Sequence, residues 1–316
     1  MKIFISIASY RDSDLNNTID SLLTNSKNPE QLHIGICYQH GNEDWEDISE
    51  YKNYSNISII DIEYSQSKGA CWARSLLQNL YRDEDWILQI DSHSRFEQDW
   101  DEKLVNIYND LSDDNAILTS YPSAYKPSQS YEEYDSNVYI CHIYGMKNGL
   151  LRSRPKVFPN YEFAKRPRRA MHVAAGFIFG QGKINNIKYD PEFYFSGEET
   201  ALAIRYWTSG YNLYHPHKKI LYHYYTRSEC KKHWDDHTDS GKYTHKCHDR
   251  LDCLIKRNDK YNLGIYGLGD KRSYDEWKVY SGIDYINYAL NEETMDGGEP
   301  PMNSGKNWIA QDQMSI

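Results

Sequence analysis

Trp86-Ile87-Leu88-Gln89-Ile90-Asp91-Ser92-His93 is the stretch whose reading decides the fold. Four of its first five residues are apolar, which is the length and composition of a buried strand. The run then stops abruptly in a carboxylate, a hydroxyl and an imidazole. In an open α/β sheet, ligands bind beyond the carboxyl ends of the strands. Asp91 and His93 are two residues apart, so on an extended chain both point to one side. One oxygen and one nitrogen ligand suit Mn²⁺ or Mg²⁺, with coordination positions left for diphosphate oxygens. The bland alternative is a loop carboxylate that caps the next helix.

The same rhythm continues on either side. Lys2–Ser9 is Ile-rich and reads as a buried first strand, and Leu15–Leu23 has helical spacing with Asp14 as its N-cap. His33–Tyr38 and Ile57–Ile62 are further strands. Lys68–Tyr81 is an amphipathic helix whose inner face is Ala70, Ala73, Leu76, Leu77 and Leu80. Trp100–Leu111 is another helix and Ala116–Ser120 a fifth strand. This alternation predicts an α/β fold, a mostly parallel sheet flanked by helices.

Pro122 to Arg169 breaks the rhythm, with prolines, charges and a single edge strand at Asn137–Ile143. Within it, Arg152, Arg154, Lys156, Lys165, Arg166, Arg168 and Arg169 form a basic stretch that suits an acidic acceptor or peripheral contact with a lipid surface; it also reads as a solvated loop. Val173–Gly180 and Lys219–Tyr225 return as strands, with a helix over Thr200–Ser209. The expected organisation is a catalytic domain over 1–225, split into a nucleotide-binding half (1–121) and an acceptor and donor-sugar half (122–225). A helical or irregular C-terminal extension follows over 226–290, and 291–316 is expected to be a mobile tail.

Bulk properties narrow the function. The chain has 316 residues, 39% apolar and 26% charged, enough for a packed core. A net charge of −10 excludes nucleic acid as the main partner, because phosphate binding without a metal needs a basic field. An acidic chain still binds a nucleotide diphosphate through a divalent cation. The mean hydropathy of −0.83 owes something to the tyrosines, which pack as aromatics but score as polar. No run approaches the ~18 apolar residues of a membrane span. Met1–Ala8 lacks a cleavage pattern, so the expected location is cytoplasmic. Six scattered cysteines are expected to be reduced.

Three further groups stand out. Phe195-Ser196-Gly197-Glu198-Glu199 precedes a helix; its acidic pair either favours the helix dipole or binds sugar hydroxyls. His223, inside Leu221–Tyr225, is either a satisfied core histidine or a distant third metal ligand. Cys230, His233, His237, His245, Cys247, His248 and Cys253 form a tract whose spacing fits no standard zinc finger. Glycine fingerprints for dinucleotides, a Walker loop and a nucleophile elbow are absent.

The runs Ile5–Asp12, Gly69–Arg74, Gln89–Phe96, Gly176-Phe177, Tyr266–Gly269 and Tyr280–Asp284 together resemble the GlcNAc-transferase family typified by the cytosolic enzyme that modifies protein hydroxyproline. That family is similar to the mucin-type polypeptide GalNAc-transferases, which have the A-type glycosyltransferase (GT-A) fold. The resemblance implies transfer of GlcNAc from UDP-GlcNAc, or a related UDP-sugar, to a hydroxyl on a protein or glycan, with retention of configuration. It implies Mn²⁺ or Mg²⁺ on Asp91, His93 and His223, and donor-sugar contacts from Gly197 and Glu198, assisted by Glu199. Ser9, Tyr10 and Arg11 are expected to hold uridine, with Arg74 on base-side carboxylates or the diphosphate. The competing readings are a non-catalytic nucleotide- or carbohydrate-binding module and a zinc-stabilised interaction protein.

Overall fold

A computed structural model describes residues 1–44, 48–303 and 307–311. The first half runs β1 (Ile3–Tyr10), α1 (Leu15–Thr24), β2 (Leu32–His40), β3 (Ile57–Glu63), α2 (Ala70–Leu77), β4 (Trp86–Asp91), β5 (Ser94–Phe96), α3 (Trp100–Asn109), β6 (Ala116–Thr119) and β7 (Ser123–Ala124). There follow β8 (Tyr139–Lys147), β9 (Leu150–Val157), β10 (Arg168–Ala170), β11 (Phe177–Gln181), α4 (Glu198–Thr208), β12 (Asn212–His215) and β13 (Leu221–His223). The last part holds α5 (His233–Asp236), α6 (Ser240–Leu254), α7 (Tyr274–Ser281), β14 (Ile283–Asp284), β15 (Ala289–Asn291), α8 (Glu292–Met295) and β16 (Trp308–Ala310).

Eight strands form the central sheet in the order β10-β12-β6-β11-β4-β1-β2-β3. The pairs β1/β2, β1/β4, β2/β3 and β6/β12 are parallel, while β11 and β10 run against their neighbours. Strand β1 is covered on both faces, which is why it reads as an almost unbroken apolar run. Ile3, Ile5 and Ile7 pack with α1 residues Leu15, Ile19 and Leu22 in one core. Phe4 belongs to a second core, with α4 residues Ala201, Leu202 and Ile204 and with Leu251, Leu254 and Trp277 from the C-terminal helices. The region after residue 226 therefore shares the core of the sheet's other face. Among the described residues no helix is long and apolar enough to cross a membrane.

Four expectations from the sequence are corrected. The helix expected over Lys68–Tyr81 is confined to Ala70–Leu77. Asp14 makes no cap to α1; its carboxylate is taken by Arg95 and the Tyr125 hydroxyl. The expected lone edge strand is half of an antiparallel hairpin, β8–β9, whose second strand carries Arg152, Arg154 and Lys156. The basic residues there are strand residues and not a loop, because they pair with β8 and alternate with Leu151 and Ser153 on the opposite face.

The tail expected over 291–316 is ordered over most of its described part. β16 pairs with β15, Thr294 and Met302 are buried, and Glu299 meets Arg166 and Arg168. The low apolar content of this segment hid that it is held by backbone pairing and ion pairs. Gln311 also accepts from the Met146 N–H of the hairpin at 3.2 Å.

A tyrosine layer covers one end of the sheet. Tyr131 and Tyr134 meet Tyr222 edge to face, Tyr134 also packs tilted on Tyr125 and Tyr131, and the Tyr222 hydroxyl is donated to Glu97 at 2.5 Å. Arg95 lies over Tyr125 at 4.8 Å. The polar tips are satisfied while the rings supply buried area.

A chain ending at Gly298 should melt measurably lower than the full chain, by roughly 2–4 °C for each kcal/mol lost. Calorimetric melting checks this. An unchanged Tm would mean that the β15–β16 and Glu299 contacts hold nothing.

Candidate active site

The carboxyl ends of β1, β2 and β4 open into a cavity of about 680 Å³. Gln39 from β2, Tyr10 from β1 and Asp91 from β4 line it in sheet order, and Arg152 and Ser153 of β9 line it where Ser153 meets Tyr121, beyond β6 on the far side of β4. Gly197 and the start of α4 close the side. Gly197 has φ +82°, the left-handed turn that swings the chain from Phe195 into α4.

Asp91, His93 and His223 offer ligand atoms that all lie within 4.8 Å of one another. The topology brings them together: β13 pairs antiparallel with β5 just after β4, setting His223 opposite Ser94. His223 Nε2 is 3.1 Å from Asp91 Oδ2, and the two imidazole rings are 4.5 Å apart. Gly176 lies against them, and a Cβ there would fall 2.7 Å from Asp91 Oδ2. The cradle thus has no room for a larger residue. The expected metal trio converges, whereas 130 residues of intervening chain concealed it in the sequence.

The trio fits a divalent cation on three counts. His93 Nδ1 lies 2.7 Å from Asp12 Oδ2; donating there leaves Nε2 free as a ligand, the usual carboxylate–histidine support of a metal site. His223 Nδ1 is buried without a partner. Burial holds the His223 imidazole below its ordinary pKa, more strongly than Asp91 raises it, which favours the neutral ring that coordinates metal. For Asp91, burial would raise the carboxyl, but the His223 hydrogen bond and the charge of Arg74 outweigh it and keep it well below the usual range.

Asp12, the last residue of the Ile5–Asp12 run, is a functional residue with no signal of its own in the sequence. Its side chain is 0% exposed and accepts from the Ser92 hydroxyl at 2.6 Å, from the Asp14 N–H at 3.1 Å, and from Arg227. The β1 loop, the β4–β5 turn and the segment after β13 therefore meet on one carboxylate.

The other expected residues separate into two groups. Tyr10 lines the cavity; its ring packs on His233 at 4.8 Å and its hydroxyl donates to Asp236 at 2.9 Å. Ser9 is fully buried beneath the cavity, where its carbonyl accepts from Gln39, and it has no face toward a ligand. The Arg11 guanidinium is enclosed by Glu43, Asp44 and Asp236 and lies over Tyr64 at 4.3 Å. Uridine contacts from Ser9 and Arg11 are corrected accordingly: strand alternation turns Ser9 inward, and three carboxylates hold Arg11.

Arg74 and Glu198 line the cavity but are bound to each other at 2.5 Å. Arg74 also donates to Asp91 Oδ1 at 3.0 Å, and the second Glu198 oxygen accepts from the Cys71 thiol. Arg74 therefore holds Asp91 directly and Glu198 holds Arg74, while Arg74 Nε is left buried without a partner. Glu199 is different. It accepts the Ala175 N–H at 2.8 Å and keeps 31% of its side chain open to the cavity.

The Cys/His tract does not converge on a metal; among the described residues the grouping of possible ligands is the trio above. His233 instead reaches the cavity, contacting the Tyr194 hydroxyl at 2.7 Å and the Ser67 hydroxyl at 3.0 Å. Gln39, Arg227, Lys231 and Trp234 also line it and were not expected. Gln39 was findable by the strand-end rule that found Asp91; the others come from a polar segment with no periodic signal.

The profile of the glycosyltransferase (GlcNAc) family matches residues 2–52 and 45–287. No curated protein matches the chain in sequence. Among solved structures, GalNAc-T7 with UDP, GalNAc and Mn²⁺ superimposes with a TM-score of 0.57 at 12% identity, covering 88% of this chain and 54% of that one. Residues 1–349 of S. aureus TarS with UDP-GlcNAc give 0.53 at 11% identity, covering 83% and 68%. At such identities the likeness concerns the fold, and this chain spans about half the length of GalNAc-T7. With the family profile running through β1, β4, α4 and the C-terminal helices, the chain is a member of the GlcNAc glycosyltransferase family and has the GT-A fold.

Proposed function

We propose that the protein transfers GlcNAc from UDP-GlcNAc to a hydroxyl acceptor on a protein or glycan, with retention of configuration. The observation that carries this is the convergence of Asp91, His93 and His223 midway along a cavity with distinct ends. GalNAc-T7 was solved with UDP and Mn²⁺, and TarS with UDP-GlcNAc, in the same fold. The uracil end is then the Tyr10, Gln39 and His233 end, and the acceptor end faces the β8–β9 hairpin.

A divalent cation, Mn²⁺ or Mg²⁺, would be held by the trio and would offset charge growing on the departing diphosphate. The chain's own groups prepare this. Asp12 fixes the His93 ring, Arg74 and Glu198 fix Asp91, and Lys231, which has no partner among the described residues, faces the diphosphate. The Glu199 carboxylate accepts a hydrogen bond from a donor-sugar hydroxyl. Phe195 and Trp234, edge to face at 5.9 Å and both exposed, border the cavity. In the transfer, the acceptor oxygen bonds to the anomeric carbon as the bond to the phosphate oxygen breaks, and the acceptor proton passes to that phosphate oxygen on the same face. Glu198 is tied on both oxygens and Glu199 is half-protonated near pH 7, which favours this direct route over a covalent glycosyl intermediate. Cysteines without disulfides, most of them buried, support a reducing, cytoplasmic setting.

Asp91→Asn and His223→Ala should lose Mn²⁺ binding in an isothermal titration and UDP release in a coupled assay, both with a native circular dichroism spectrum. Asp12→Asn should weaken Mn²⁺ about 10–100-fold by releasing the His93 ring. Unchanged Mn²⁺ affinity in all three would remove the metal assignment.

Burial pushes the Glu199 carboxyl up to about 7 from its ordinary 4.5, with the charges of Glu198 and Asp91 adding to the push and the Ala175 N–H opposing it. Charge appears on Glu199 as pH rises through 7, and the charged form is the stronger acceptor. kcat/KM should therefore rise through an inflection near pH 7 that Glu199→Gln abolishes; an identical inflection in the variant would sink the assignment. The sign for stability is opposite: a raised carboxyl makes the fold less stable as pH climbs between 4.5 and 7. Glu199→Gln should flatten that slope in urea titrations.

A further inference from the structure

The cations on the cavity wall differ in exposure and in whether the protein itself neutralises them: Arg74, Arg227 and Lys232 are buried or half-buried, and Arg152 and Lys231 are exposed to the solvent that fills the cavity. Arg74 is bound by Asp91 and Glu198, Arg227 by Asp12, and Lys232 donates to the Arg227 carbonyl at 2.7 Å. Elsewhere buried or half-buried arginines are paired as well, Arg95 with Asp14 and Arg250 with Asp190. With 46 acidic residues against 36 Lys and Arg, carboxylates are plentiful. Arg152 and Lys231 nonetheless line the cavity with no hydrogen bond, ion pair or ring contact among the described residues.

These two stand at opposite ends. Lys231 follows Cys230, whose sulfur is 3.5 Å from the Ser13 hydroxyl, and precedes His233, which packs on Tyr10; it belongs to the nucleotide end. Arg152 is on β9, beside Ser153, whose hydroxyl meets the Tyr121 hydroxyl at 2.7 Å. In the order of the sheet, Tyr121 follows β6 and so lies on the far side of β4 from Tyr10 and Gln39. The diphosphate has a metal trio and Lys231 on its own side. Arg152 is left facing whatever enters from the other.

Resting on the transferase reading, we infer that the acceptor carries a fixed negative charge, a phosphate or a carboxylate, close to the hydroxyl that receives the sugar, and that the Arg152 guanidinium binds it. The planar fork of arginine matches either oxyanion with two parallel hydrogen bonds. The strand repeat places Arg154 and Lys156 on the same face of β9 as Arg152, so positive charge continues outward from the cavity. Arg154 lies over Tyr144 at 4.9 Å and Lys156 binds the Asp296 carbonyl, so neither is neutralised by a carboxylate. A longer anionic acceptor would meet the same sign of charge as it leaves the site.

The test compares matched acceptors by kcat/KM with UDP-GlcNAc as donor. One pair is glycerol phosphate against glycerol; the other is a short serine peptide flanked by glutamates against the same peptide with glutamines. The native protein should favour the charged member of at least one pair by about 10-fold or more, the size of one charge-assisted contact. The pair that responds identifies the source of the charge. Arg152→Gln should bring that ratio near one, chiefly through KM, and Arg152→Lys should keep part of it; because the ratio is internal to each variant, a general loss of activity cancels. UDP release without any charge preference in either pair, or a preference that persists in Arg152→Gln, overturns the inference and leaves the transferase reading standing. No UDP release from UDP-GlcNAc under any divalent metal overturns both.

Discussion

A carboxylate with no access to water must be met by the protein, and Asp12 is that carboxylate here. Its partners come from three places: Ser92 and His93 after β4, Asp14 at the start of α1, and Arg227 beyond β13. Burial alone would raise its pKa, yet the His93 hydrogen bond and the Arg227 charge hold it far below the ordinary range. Removing any partner would strand a buried charge, so the three segments are obliged to stay together. His93 is oriented as a by-product of this obligation.

A second network acts on the other ligand. Arg74 sits between Asp91 and Glu198, and Cys71 occupies the remaining Glu198 oxygen. Helix α2 thereby sets both a residue of β4 and the first turn of α4. The arrangement explains why neighbouring glutamates in one helical turn have separate fates. Both border the cavity, but Glu198 is nearly buried and held by Arg74 and Cys71, while Glu199 keeps 31% of its side chain exposed. The two networks converge on adjacent ligands from opposite sides, so the trio is held in place by protein contacts alone.

Much of this was legible in the sequence. Apolar runs located β1, β2, β3, β4 and β6 to within a residue or two, because buried strands leave a strong compositional trace; β11 begins four residues later than the run from Val173 suggested, and the short β10 and β12 were missed. The strand-end rule found Asp91 and His93. His223 was weak by itself, since one imidazole in an apolar strand says nothing about what lies across the sheet. Direction was not legible: Ser9 faces inward by strand alternation, and Arg11 is claimed by Asp44 and Asp236, 33 and 225 residues away. The β9 strand was hidden by its charges, and the ordered segment near 291–311 by its scarcity of apolar residues, because ladder hydrogen bonds and ion pairs leave no periodic signature.

The tyrosine layer carries a consequence for behaviour in base. Burial and nearby carboxylates such as Glu97 hold the Tyr222 phenol far above the ordinary value of 10, and Tyr125, beside Asp14, is shifted the same way. A folded chain keeps these protons where an unfolded one surrenders them. Above pH 10 each such phenol therefore draws the equilibrium toward the unfolded state. Phenolate absorbance from this layer would appear together with loss of structure, making the protein's own aromatic groups the indicator, and the cause, of its alkaline limit.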